Sequence, residues 1–147
     1  LYEHAQRIPF YDFNTIKTNP FFLENKERIM AADRLLIMHP VWWYSAPGIL
    51  KCWMDLISNY AWQYQEPYAK PLHKITKALV VNTAAMPNLF RWFFTRNSAT
   101  ETVKRMFRFM GIKQSFFYEI GRTEKLTAEQ EKKHLKKIIK KSDWLIS

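Results

Sequence analysis

The sequence predicts an α/β fold, a parallel sheet with helices on both faces, and three observations carry that prediction. Short apolar runs at residues 34–38, 78–81 and 115–120 read as strands. Segments with the spacing of an amphipathic helix separate them, and strands alternating with helices imply parallel pairing and right-handed crossovers. Finally, Trp42, Trp43 and Tyr44 stand in succession where the first strand gives way to a helix. Ligands of open α/β sheets bind at such strand ends.

Each element has its own signal. Residues 1–18 mix polar and aromatic residues around Pro9 without a period and read as irregular. Asn19 is placed to cap a helix with Pro20 at its first position, and Phe22, Ile29, Met30 and Asp33 outline its course. The strand at 34–38 reads as buried on both faces. Pro47 then suits a helix start, and Ile49, Leu50, Trp53, Met54 and Ile57 share one face of a helix running to about Tyr60. A loop with Pro67 and Pro71 leads to the strand at 78–81, which ends in a turn at 82–87. Ser98 and Glu101 have capping-box spacing; Val103, Met106, Phe107 and Met110 form the apolar face behind them, and Gly111 is the stop. After the strand at 115–120, Thr127 and Gln130 repeat the capping signal before a helix whose apolar side is Leu135, Ile138 and Ile139.

Composition narrows the class. A chain of 147 residues that is 48% hydrophobic can bury one sizeable core, and it has three glycines and no linker or repeat, so residues 1–147 read as a single domain. The formal charge of +10 suits nucleic acid, an acidic membrane surface or small anions alike. A single cysteine excludes an internal disulfide framework and fits a reducing compartment. No run approaches the roughly 18 apolar residues of a spanning helix, and no secretory pattern opens the chain, so the cytoplasm is the expected location.

Pro40, Trp43, Tyr44, Pro47, Leu50, Lys51 and Trp53, with Asp55 beyond, fall in one short window at the aromatic junction. The window resembles the flavin-ring loop of the NAD(P)H dehydrogenase (quinone) family, in which Pro-x-x-Trp-aromatic-x-x-Pro-x-x-Leu-Lys-x-Trp is characteristic. The resemblance continues more loosely to Ile120. It implies a flavodoxin-like three-layer αβα sandwich, FMN or FAD as cofactor, NAD(P)H as electron donor, and hydride transfer through the flavin to a quinone or similar acceptor. By the same resemblance Pro40, Val41, Trp42, Trp43 and Tyr44 form one wall of the flavin site and Thr83, Ala84, Ala85 and Met86 the other. A flat apolar ring with one hydrogen-bonding edge needs aromatic walls and backbone donors, and neither loop need supply a catalytic side chain. A flavodoxin-like sheet has five strands in the order 2-1-3-4-5, whereas three are legible here. The natural protein is therefore expected to carry about 30 to 40 further N-terminal residues, a strand-helix-strand unit with the phosphate-binding loop; the alternative is that residues 1–18 pair with the sheet in a way their sequence does not reveal. Two departures stand out: Ala84 and Ala85 occupy positions where paired glycines are common, and the tyrosine and histidine that assist quinone reduction in longer members are replaced by residues 88–94.

Other residues have plainer readings. Lys51 and Asp55 are spaced as a surface ion pair, and Cys52 as a buried, inert thiol. His4, His39, His73 and His134 lack metal-ligand spacing, so no metal is expected. The lysines between Lys132 and Lys141 flank an apolar stripe as a solvated helix face. Phe90, Trp92, Phe93 and Phe94, with Arg91 and Arg96, are left with three readings: a dimer contact, a lid over the flavin, or attachment to a membrane surface. The family resemblance favours a homodimer. Two alternatives to an oxidoreductase remain, a flavin-binding regulatory subunit of a membrane transport system and a basic nucleic-acid-binding module. The second is opposed by the separation of aromatics from lysines along the chain.

Overall fold

A computed structural model describes residue 18 and residues 20–65 and 68–147. The expected irregular N-terminal stretch, the Asn19 cap and Pro67 lie outside the described residues.

Helix α1 (Pro20–Ala31) leads into strand β1 (Arg34–Pro40), and helix α2 (Gly48–Ala61) follows the aromatic junction. A hairpin, β2 (Trp62–Gln65) and β3 (Tyr68–Pro71), precedes the central strand β4 (Lys77–Thr83). Two helices, α3 (Asn88–Thr95) and α4 (Ser98–Phe109), lead to strand β5 (Gln114–Ile120), and the long helix α5 (Ala128–Ile146) closes the chain. Strands β1, β4 and β5 form a parallel sheet in the order β1-β4-β5, with Arg34 opposite Lys77 and Lys77 opposite Gln114.

One face of the sheet packs on α1, α2 and α4, where Phe22, Ile29, Leu50, Met54, Ile57, Val103 and Phe107 meet Leu35, Ile37, Ala78 and Val80. On the opposite face Leu79, Val81 and Ile120 meet Leu145 of α5. Residues 78–82 of β4 are therefore buried without alternation, as expected of a parallel strand covered on both sides. In β1 that expectation fails. Leu35, Ile37 and His39 are buried, but Leu36 and Met38 are 47% and 61% exposed, because α5 packs over β4 and leaves this side of β1 uncovered among the described residues.

The segment expected to be a loop forms the β2–β3 hairpin, antiparallel with Trp62 opposite Pro71. The Trp62 ring meets Phe109 edge-on at 4.6 Å, which ties the hairpin to α4. Gly111 fixes the other side of this junction. Its φ of +84° favours glycine, and a Cβ there would stand 2.7 Å from Pro71 Cγ. Capping is mixed. Thr127 and Gln130 make the expected reciprocal box at α5. Ser98 is not a cap: Asn97, at a φ of +54°, holds that position without a side-chain bond to the helix backbone. Leu135 and Ile139, expected on the apolar side of α5, are exposed, while Ile138 packs inward. Cys52 is half-buried, and Lys51 pairs with Asp55 on the surface.

Candidate functional site

The carboxyl ends of β1 and β4 lie side by side, Pro40 opposite Thr83. Beyond them the Val41 N–H donates to the Thr83 carbonyl at 2.7 Å, so the two departing loops start from one fixed point. The first loop turns back at once. Trp42 and Ser45 exchange both backbone hydrogen bonds, 3.0 and 2.9 Å, around a two-residue turn. Its central residues, Trp43 and Tyr44, have φ values of +48° and +62°. A turn of this hand ordinarily takes Asn-Gly, and holding two bulky residues there costs on the order of 1 kcal/mol each. Neighbouring structure enforces it: the Ser98 hydroxyl at the start of α4 donates to the Tyr44 carbonyl. That clamp is the function of the serine that sequence spacing assigned to a cap. The result displays the aromatics, with Trp43 93% exposed.

The second loop is bound to the end of β5. Ala84 N–H donates to the Ile120 carbonyl at 2.8 Å, Thr123 N–H to Ala84 at 3.1 Å and Arg122 N–H to Met86 at 3.3 Å. Gly121 makes this closeness feasible, since a Cβ there would meet Asn88 N and Met86 O at 2.8 Å. The N–H groups of Ala85 and Met86 make no hydrogen bond among the described residues. They remain available as donors.

Between the loops lies a slot of about 210 Å³, partly open to solvent, lined by Val41, Trp43 and Tyr44 on one side, by Ala84, Ala85 and Met86 on the other, and by Arg91. Six of the residues expected from sequence thus come together. Pro40 and Thr83 terminate the paired strands instead of lining the slot, and Trp42 is half exposed outside its lining. The alanine methyl groups leave the slot open.

Directly below the strand ends is a polar row that sequence reasoning missed. His39, Asn82 and Glu119 occupy one register line across β1, β4 and β5. Arg91, grouped by sequence with exposed aromatics, turns inward from α3 and is 2% exposed. Its Nη2 donates to Asn82 Oδ1 at 3.1 Å and Asn97 Oδ1 at 2.9 Å. Asn82 donates in turn to Thr100 at 3.0 Å, while Thr100 and Asn97 both donate to Glu119 Oε1. Burial lowers the Arg91 pKa and Glu119 opposes that shift, yet a guanidinium stays charged at neutral pH. His39 Nδ1–H donates to the Pro40 carbonyl at 2.8 Å, leaving Nε2 buried without a partner. Burial lowers the His39 pKa, the hydrogen bond to Pro40 opposes that shift, and the Arg91 charge adds to the lowering. The legible signal was polar residues interrupting otherwise apolar strands.

Among the described residues no group of three potential ligands is placed to hold a metal ion, and no helix is long and apolar enough to cross a membrane. Residues 5–142 match the Flavodoxin_2 family, described as a flavodoxin-like fold. The chain is similar to an FMN-dependent NADH:quinone oxidoreductase of Coprothermobacter proteolyticus, 29% identical over 89% of this chain and 66% of that protein. The chain therefore spans just under two thirds of that relative's length. Its structure resembles an NAD(P)H:quinone oxidoreductase from Methanothermobacter marburgensis, with a TM-score of 0.67 and 25% identity over 81% of this chain and 61% of that one. It also resembles an FMN-dependent NADH-azoreductase from Bacillus anthracis in complex with FMN, with a TM-score of 0.75 and 18% identity over 99% of this chain and 71% of that one.

Proposed function

The chain belongs to the flavodoxin-like fold family, and from that premise we propose that it is an enzyme, an FMN-dependent NAD(P)H oxidoreductase delivering electrons to a quinone or similar two-electron acceptor. The observation that carries this reading is the slot, with apolar aromatic surface on one flank and unused backbone donors on the other. A planar heterocycle with one polar edge matches that pairing of walls. FMN is preferred to FAD because the Coprothermobacter oxidoreductase and the Bacillus anthracis azoreductase are both FMN-dependent by name.

In this reading Val41, Trp43 and Tyr44 form one flank of the cofactor and Ala84, Ala85 and Met86 the other, while Pro40 and Thr83 end the strands behind them and Trp42 stands outside the lining. When bound, FMN supplies the redox chemistry, taking a hydride from NAD(P)H and giving two electrons to the acceptor. The aromatic turn excludes water from the ring, while the Ala85 and Met86 N–H groups orient its polar edge. No side chain of this chain need transfer a proton. Donor and acceptor would use the same open side of the slot in turn, and the kinetics are then ping-pong.

Helix α3 supports a homodimer as part of the same reading. Leu89, Trp92, Phe93 and Phe94 are all more than 60% exposed on one short helix, a surface suited to burial against a second copy. The test is direct. Purified protein should bind FMN, quench its fluorescence and reduce a benzoquinone at the expense of NADH or NADPH with parallel double-reciprocal lines. Protein that remains colourless in excess FMN overturns the reading.

A further inference from the structure

Most of the slot is uncharged, so the one cation in its lining invites explanation. Arg91 comes from the inward face of α3 and belongs both to the slot and to the polar row beneath it. A buried arginine serving stability alone ordinarily forms a close, bidentate pair with a carboxylate. Arg91 does otherwise. Its nearest carboxylate oxygen, Glu119 Oε1, is 3.9 Å away, and that oxygen is engaged by Asn97 and Thr100. The close partners of the guanidinium are the neutral amide oxygens of Asn82 and Asn97, and Nη1 makes only a 3.5 Å contact to Asn88. Neutral partners hold the group in place without cancelling its charge. Glu119, one step further away, offsets part of it.

We propose that Arg91 sets the preference of the slot for reduced over oxidised FMN, with Glu119 tuning that preference through it. This inference rests on the FMN reading above. The chemical reason is charge. When the ring takes a hydride from NAD(P)H, two electrons and one proton arrive, the nicotinamide leaves oxidised, and the ring system gains one negative charge. A fixed cation in the wall, preorganised by Asn82 and Asn97 and shielded from water, stabilises that charge more than it stabilises the neutral oxidised ring. The polar row is then more than a structural curiosity. By placing Asn82 and Glu119 one residue below the strand ends, the register keeps these two groups out of the slot lining, to which Arg91 belongs.

The experiment measures anaerobic dissociation constants of oxidised and dithionite-reduced FMN for the wild type, Arg91→Gln, Arg91→Lys and Glu119→Gln, alongside far-UV circular dichroism. Arg91→Gln is expected to lower the ratio of oxidised to reduced dissociation constants about tenfold, equal to a midpoint potential about 30 mV more negative for a two-electron couple. Arg91→Lys should restore most of the ratio. Glu119→Gln, which preserves the acceptor oxygen for Asn97 and Thr100, should move the ratio the opposite way. A residue acting only through the fold would move both variants together or leave the ratio fixed. Ratios within twofold of the wild type, or shifts of one sign in Arg91→Gln and Glu119→Gln, overturn the inference while leaving FMN binding intact. Wild-type protein that binds neither form of FMN overturns the underlying reading as well. Should Arg91→Gln fail to fold, Arg91→Lys and the isosteric Glu119→Gln decide the matter: the first must stay near the wild type and the second must rise.

Discussion

Replacing Gly121 with Ala adds one methyl group where the end of β5 crosses the loop that follows β4. The new Cβ would lie 2.6 Å from Asn88 Oδ1 and 2.8 Å from both Asn88 N and Met86 O. Two of those atoms are backbone, so rotation of a side chain cannot relieve the crowding. The loop must retreat by about 0.6 Å to reach the 3.4 Å at which such contacts become ordinary. Overpacking of this kind costs about 1–3 kcal/mol, and the reduced freedom of the unfolded alanine chain returns about 0.4–1 kcal/mol. The net loss is about 1–2 kcal/mol, or roughly 2–8 °C in Tm for a chain of this size. The same retreat moves Met86 away from the aromatic turn, and FMN binding should weaken about tenfold. Differential scanning fluorimetry and FMN fluorescence titration read the two effects. Unchanged Tm together with unchanged affinity would refute the steric reasoning, and lost stability with intact affinity would remove this loop from the cofactor wall.

Gly111→Ala combines a left-handed backbone with a collision against Pro71, and a loss of about 2–3 kcal/mol is expected by urea denaturation; Pro71→Ala in the same chain should recover the steric part. Trp43→Ala removes the most exposed aromatic of the slot and should weaken FMN retention by about 1–3 kcal/mol, measured by titration, with little change in Tm. Stability should fall in mild acid. His39 and His73 have folded-state pKa values below 6.5, chiefly through burial, so the unfolded chain binds more protons once the pH drops below that value. The stabilisation is complete above about pH 6.5 and is lost as pH falls toward the folded-state values. Tm profiles between pH 8 and 5 check this, and His39→Gln should flatten the decline.

The sheet was legible because its three strands are apolar enough to declare themselves, yet the reading stopped short at an instructive place. Sequence ended the first two strands at Met38 and Val81, since His39 and Asn82 are polar; the ladder continues to Pro40 and Thr83. The residues that an apolar criterion discards are those that build the buried row. Arg91 was misread for a related reason: its neighbours Phe90, Trp92, Phe93 and Phe94 face outward, so one charge among them looked like part of a surface. The hairpin escaped because two strands of four residues offer too little alternation to register a period. In α5, Ile138 and Leu145, seven residues apart, face the sheet, whereas Leu135 and Ile139 fall on a neighbouring helix face that stays exposed, a division a single apolar stripe does not reveal. The slot itself was anticipated through local motif, which names residues but not the depth at which their supports lie.

The left-handed pair Trp43 and Tyr44 sets thermal endurance against utility. Selection for heat resistance alone would drift toward Asn-Gly at those two positions, relaxing the backbone and erasing the surface it presents. Libraries screened only for melting temperature would thus enrich sturdier molecules with a blank rim, and any stabilisation campaign on this scaffold has to hold those two codons fixed.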